Sequence, residues 1–312
     1  MRPEGHIVAI CLADLHLSHK PPVARSVEPD WYAAMERQLR EVVNLSTSLN
    51  GVSRPPVPII CAGDIFDSAK QPIELVNFAI QHLPTMYAVP GNHDLLCHRY
   101  EDAHKSPYWT LVKTGRVIDL QPGVPCNTGF LSIHGFPYGF DPKPEKWKRG
   151  LVQEVAVVHQ MVWTKETGYF GASESQRLKE FRKKVKGYDV AITGDNHKPF
   201  TSHSDSECTV FNVGGFFRRK IDEIGHKPSV GLLMANGRVK RHYLDVSKDK
   251  FLTPDTIMKS IEGLGFESLV ELCRNLGDNA LDYHDGVVRL LNREKVSQEV
   301  KELVLKFLGR DK

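Results

Sequence analysis

At 312 residues the sequence is long enough for one large domain, or for a core of about 200–250 residues with a small appendage. Hydrophobic residues make up 41% and charged residues 25%, which argues against a disordered or membrane-embedded chain, and the net charge of +3 permits a nucleic-acid partner without demanding one. Six scattered cysteines (Cys11, Cys61, Cys97, Cys126, Cys208, Cys273) form no Cys-x-x-Cys pair, so the expectation is reduced thiols in a cytoplasmic protein and no structural zinc cluster.

The chain enters an apolar run, Ile7 to Leu12, from a short polar start with no basic leader, and no run reaches the ~18 apolar residues of a membrane-spanning helix. That first run ends in Ala13-Asp14-Leu15-His16. Trp31 to Leu49 carries apolar residues at helical spacing, and Val57 to Ala62 is a second apolar run, ending in Gly63-Asp64. Gln71 to Leu83 again reads as a helix, with Pro72 near its start. Thr85 to Val89 runs into Pro90-Gly91-Asn92-His93-Asp94, Glu154 to Val158 into His159-Gln160, and Val190 to Thr193 into Gly194-Asp195-Asn196-His197. Short continuous apolar runs predict strands buried on both faces, in α/β layers. Ligands in such layers sit at the carboxyl ends of strands, so five polar clusters at five strand ends predict one shared site.

Composition shifts after Tyr243. Asp245 to Lys250 reads as a polar linker, dividing a domain at 1–245 from a small α/β cap at 246–312. Within the cap, Thr253 to about Gly263, Ser268 to Leu276 and Ser297 to Leu308 read as helices, and Gly286 to Leu291 as a strand.

Asp, His, Asp, Asn, His, Asp and His stand at the strand ends. Carboxylates mixed with imidazoles suit manganese, iron or zinc, and seven donors exceed what one ion needs. Two ions roughly 3.5–4 Å apart, sharing a carboxylate, would use them all and would activate water for in-line attack on phosphorus. Gly63, Gly91 and Gly194 are expected to make tight turns that aim the next side chain at the metals.

Asp14-x-His16, Gly63-Asp64, Gly91-Asn92-His93-Asp94, His159 and Gly194-Asp195-x-His197, in this order, resemble the signature of calcineurin-like metallophosphoesterases across roughly residues 7–245. The resemblance implies an α/β fold: a β-sandwich flanked by helices, here followed by the cap. It implies one divalent ion on Asp14, His16 and His197, a second on Asn92 and His159, and Asp64 between them. His93 would stabilise the transition state or protonate the leaving oxygen, and Asp67 would pair with His93. Asp195 departs from the family pattern, which usually has histidine there as a ligand of the second ion. Asp195 is expected to take that coordination position directly, the alternative being contact through water, and to favour Mn²⁺ or Mg²⁺ over zinc, with Mn²⁺ preferred.

The wording Asp14-Leu-His16-Leu-Ser, Gly63-Asp64-Ile-Phe-Asp67 and Val89-Pro-Gly-Asn-His-Asp94 further resembles SbcD-type DNA-repair nucleases, of phage type or divergent. That branch implies a DNA exonuclease with single-strand endonuclease activity, an SMC-like ATPase partner of SbcC type and a homodimer. Arg218 and Arg219, with Lys220, are expected to reach a phosphate backbone. Lys143, Lys146, Lys148 and Arg149 around Trp147 suit single strands, although by themselves they read more simply as a solvated loop. Arg177 to Lys186 reads as the wet face of an amphipathic helix, and Phe216 and Phe217 as core. His19, His98, His104, His134 and His203 fall outside the five motifs and read as surface or packing residues. The competing expectations are a small-molecule phosphodiesterase or phosphoprotein phosphatase, and a non-catalytic DNA-binding subunit.

Overall fold

Alternation within the strands explains how the chain layers. In the first strand, β1 (Ile7–Leu12), Ala9 and Cys11 point one way and Ile10 and Leu12 the other, and all four are fully or almost fully buried. A strand apolar on both faces needs cover on both. A computed structural model, which describes residues 5–49, 55–146, 152–168, 172–204 and 206–252, shows what supplies it.

β1 is followed by α1 (Trp31–Ser48), β2 (Ile59–Cys61), α2 (Ile73–His82), β3 (Met86–Ala88), α3 (Pro107–Lys113) and β4 (Val117–Asp119). Then come β5 (Cys126–Thr128), β6 (Leu131–Phe136), β7 (Gln153–His159), α4 (Leu178–Lys184), β8 (Val190–Gly194), β9 (Phe200–Ser202), β10 (Thr209–Asn212), β11 (Ser229–Met234) and β12 (Val239–Tyr243). The strands form two six-stranded sheets, ordered β12-β11-β1-β2-β3-β4 and β5-β6-β7-β8-β10-β9. Both are mixed. β1 to β4 run parallel, as do β6, β7, β8 and β10, while β5, β9, β11 and β12 pair antiparallel with their neighbours.

Ala9, Cys11, Ile60, Val155, Val157, Val190, Ile192 and Phe211 fill the space between the sheets. The opposite face of the first sheet (Ile10, Leu12, Ile59, Cys61, Met86) packs on Met35 and Leu39 of α1, Leu75 and Phe78 of α2 and Tyr108 and Leu111 of α3. Ala156, Val158 and Ala191 on the outer face of the second sheet pack with Phe181 of α4. Asp30 caps α1 by accepting the Ala33 N–H at 3.0 Å, which satisfies one donor at the helix start. The α/β sandwich flanked by helices is therefore as expected. Phe216 and Phe217 lie in the core, 0% and 3% exposed, and are not a stacking surface. The basic stretch at α4 buries Phe181 and turns its charges outward, with Arg182 paired to Glu207, Lys183 to Glu180 and Lys184 to Asp141.

The expected linker at 245–250 is not a loose tether. The Asp249 side chain is fully buried and accepts from Arg25, Arg37 and Arg218 at 2.9–3.2 Å, while the Lys250 N–H donates to Glu28. Three guanidiniums on one carboxylate explain why so polar a segment docks. The helices and strand expected from Thr253 onward lie outside the described residues, as do Cys273, Trp147, Lys148 and Arg149. The other five cysteines are free thiols, and no helix among the described residues is long and apolar enough to cross a membrane.

Candidate metal centre

The five polar clusters meet at one edge of the sandwich because β1, β2 and β3 in one sheet and β7 and β8 in the other all present their carboxyl ends there. Backbone pairing continues past the strands and fixes the loops. Asp14 N–H donates to Gly63 O (3.0 Å), His16 N–H to Asp64 O (2.9 Å) and Asp67 N–H to Leu17 O (3.0 Å). Asp14, His16, Asp64 and Asp195 all adopt positive φ, between 46° and 73°. Left-handed backbone is unfavourable for such residues and persists only where the surroundings enforce it, which is typical of functional sites.

Three sets of donor atoms converge, each within 4.8 Å of one another: Asp14, His16 and His197; Asp14, Asp64 and His159; and His16, Asp64 and His93. His16 Nε2 and His197 Nε2 face each other at 3.0 Å, an arrangement that only one shared proton or one cation reconciles. Asp64 Oδ2 lies 3.5 Å from both His16 Nε2 and His159 Nε2, and Asn92 Oδ1 lies 3.0 Å from His159 Nε2. His159 donates Nδ1–H to Ala62 O at 2.7 Å, which turns Nε2 into the cluster, the orientation metal-bound histidines adopt. Asp14 uses Oδ1 to accept the Asp195 N–H (2.9 Å), and its buried Oδ2 has no hydrogen-bond partner. An orphan carboxylate oxygen, opposed imidazole nitrogens and a mixed oxygen and nitrogen donor set together fit divalent cations.

The turns are crowded as well as strained. At Gly63 (φ +94°) a Cβ would strike the His159 ring, and at Gly91 it would strike the Asp64 carboxylate. Gly63 thus fits the expected turn role, whereas Gly91 has no positive φ and is required for close approach instead.

Burial governs the charges. It pushes the Asp14 carboxyl up, with Asp64 adding to the rise, and pushes His16 well below the usual imidazole range, with Arg219 acting in the same direction. Burial, Arg219 and Lys220 lower His197 to about 4. Burial opposes charge on Asp64 and His159 too, but their mutual attraction prevails: Asp64 is held below the usual carboxylate range and His159 rises to about 10. Without cations, one proton on His159 therefore balances Asp64, while His16 and His197 are neutral and ready to ligate.

Two predicted partnerships come out differently. His93 Nδ1 donates to the main-chain oxygen of Asp67 at 2.7 Å, not to its carboxylate. The carboxylate instead accepts Arg219 Nη2 at 2.6 Å and lies 3.7 Å from His16 Nδ1. Asp67 orients His93 through the backbone because its side chain is drawn to the stronger cation. Arg218, expected on a phosphate backbone, is 8% exposed; Nε, Nη1 and Nη2 donate to Asp249, Ile224 O and Val246 O, which holds it inside the fold. Arg219 is at the cluster. Asp195 is in none of the three converging sets; its backbone positions Asp14, and its charge raises His159.

Asp94, the last residue of the Gly91-Asn92-His93-Asp94 motif, has a structural role. Its fully buried carboxylate accepts from the N–H groups of Ile65, Phe66 and Gly91 at 2.9–3.1 Å, binding the Asp64 turn to the Asn92 turn. A short acidic side chain three residues after a glycine in a polar loop is the sequence signal for such a bracket. His134 pairs with Glu154 at 2.8 Å and packs edge-on to Tyr188, a packing role.

The sequence profile of calcineurin-like phosphoesterases matches residues 8–199, more than half of the chain and all five strand-end motifs. The chain belongs to the calcineurin-like phosphoesterase family. Solved structures with a similar fold include the calcineurin-like phosphoesterase YfkN from Bacillus subtilis, 13% identical over 83% of this chain and 96% of that one, with a TM-score of 0.43. A metallophosphoesterase from Sphaerobacter thermophilus is 15% identical over 86% and 98%, with a TM-score of 0.34. The sulfate thiohydrolase SoxB of Thermus thermophilus, solved with glycerol, is 10% identical over 84% and 60%, with a TM-score of 0.46. No curated protein matches the sequence. As a family member the chain is a metal-dependent hydrolase of phosphoesters.

Proposed function

We propose that this phosphoesterase is a Mn²⁺-dependent DNA exonuclease with single-strand endonuclease activity, of the SbcD type. The observation that carries the hydrolytic reading is the convergence of donors, most of them buried, in adjacent sets that share Asp14, His16 and Asp64. Asp14, His16 and His197 would hold one ion, Asn92 and His159 the other, and Asp64 would serve both, with Asp195 adding charge from just outside. When bound, the ions supply an acidified water and positive charge for the phosphate oxygens. Manganese suits a site that sets carboxylate and amide oxygens beside imidazoles.

The rest of the chemistry belongs to the chain. In its imidazolium form His93 donates Nδ1–H to Asp67 O and keeps Nε2–H for the substrate; that proton passes to the departing sugar oxygen and leaves the neutral ring. Arg219, braced on Asp67, faces the non-bridging oxygens with its remaining N–H groups, and Lys220 adds charge nearby. Nucleic acid as substrate is supported by this cationic rim and by the motif wording. An SbcC-type ATPase partner, a homodimer and a cytoplasmic setting rest on sequence resemblance and composition.

End-labelled single- and double-stranded DNA, incubated with Mn²⁺, Mg²⁺ or EDTA beside an Asp64→Ala control, tests the proposal. Manganese-dependent cleavage that the variant loses together with bound metal is expected. Hydrolysis of bis-p-nitrophenyl phosphate without any cleavage of DNA would move the reading to a small-molecule phosphodiesterase or phosphoprotein phosphatase. Full activity in Asp64→Ala would end the two-metal account.

A further inference from the structure

Beside the Asn92–His159 side of the centre two loops raise aromatic rings in pairs. Tyr138, in the loop after β6, has its ring 6.4 Å from that of His159 and 6.0 Å from that of His98. Two residues further along each loop, Phe140 and Tyr100 stand 5.2 Å apart. Tyr138 and Phe140 are 36% and 37% exposed, and His98 is exposed as well. These rings therefore stand close to the buried donors and yet are open to solvent.

Both loops are anchored to the turn that carries Asn92. Tyr138 N–H donates to Pro90 O at 3.2 Å, and His98 Nδ1 donates to Asn92 O at 2.9 Å. Cys97 and His98 hold left-handed backbone, φ 52° and 56°, so the His98 ring is presented by an enforced turn. The shelf is thus rigidly placed relative to the centre, one ring beyond His159.

We infer that Tyr138 and His98 form a stacking subsite for the nucleobase next to the scissile phosphate. A phosphate on the centre directs its attached nucleoside outward, and the aromatic surface adjoining His159 is the shelf. Planar bases stack on tyrosine and histidine faces without regard to sequence, as a nuclease acting on any DNA requires. The inference rests on the nucleic-acid reading, but it is testable by binding without turnover.

The metal-loaded full chain is titrated with dAMP and with 2-deoxyribose 5-phosphate, which carries a hydroxyl on C1 in place of the base. The wild type is expected to bind dAMP about 5- to 100-fold more tightly, the weight of one base–aromatic stack. Tyr138→Phe should keep that ratio. Tyr138→Ala should bring it close to one while leaving the affinity for the sugar phosphate unchanged. Equal affinities in the wild type, or an unaltered ratio in Tyr138→Ala, would overturn the subsite. A dAMP preference in a protein that cuts no DNA would overturn the nuclease reading and leave the subsite standing; DNA cleavage with base-blind binding would do the reverse.

Discussion

His93 sits where one loop fixes it from two directions: its N–H donates to Asp64 Oδ1 at 2.9 Å, and its ring is held by Asp67 O. A proton donor so placed contributes roughly 10²–10⁴-fold to turnover. His93→Asn is therefore expected to lower kcat by that factor while metal analysis finds the same content; a parallel loss of metal would make His93 a ligand. His197 offers a test by pH. In the metal-free chain its native pKa is about 4, against about 6.5 when unfolded. Below pH 6.5 the unfolded chain takes up a proton that the native His197 refuses until about pH 4. The stability conferred by the neutral ring is thus complete above 6.5 and lost as pH falls through this window. Urea titrations in EDTA should show the wild type losing stability relative to His197→Gln between pH 7 and pH 4.5; a constant difference would mean that His197 titrates freely.

Each strand end turns sharply, and glycine decides how closely neighbouring turns approach. Gly91→Ala would drive a methyl group into the Asp64 carboxylate that the centre shares. The expected outcome is at least a tenfold loss of Mn²⁺ affinity by calorimetry, in the range that displaced supporting groups produce, with circular dichroism unchanged. Wild-type affinity would show that the Asn92 turn yields without moving Asp64. The five strands whose ends carry the motifs were legible in the sequence as short, largely apolar runs, Ile7–Leu12 being unbroken. The remaining strands went unread; among them β5, β9 and β12 are short and half-exposed and owe their conformation to an adjacent strand.

Across the whole described unit, the segment after β12 is locked down by Asp249. Asp249→Ala would leave Arg25, Arg37 and Arg218 without their shared carboxylate, Arg25 being 1% exposed. Breaking a buried ion cluster on one side costs about 3–5 kcal/mol, and the urea midpoint should fall accordingly. A loss below about 1 kcal/mol would show the segment to be peripheral. Arg218 is part of this lock and its neighbour Arg219 is part of the centre, so consecutive arginines serve stability and chemistry separately.

The sequence by itself determined the strand-end motifs, their order and the donor chemistry, because buried strands must be apolar and ligands must be carboxylates, amides or imidazoles whatever surrounds them. Tertiary structure alone decided which cation Asp67 would meet, that Arg218 would turn inward, and that Tyr138 would stand beside His159. Those pairings join residues far apart in the chain, Asp67 and Arg219 being 152 positions apart, and only the stacking of two sheets brings such residues within bonding distance.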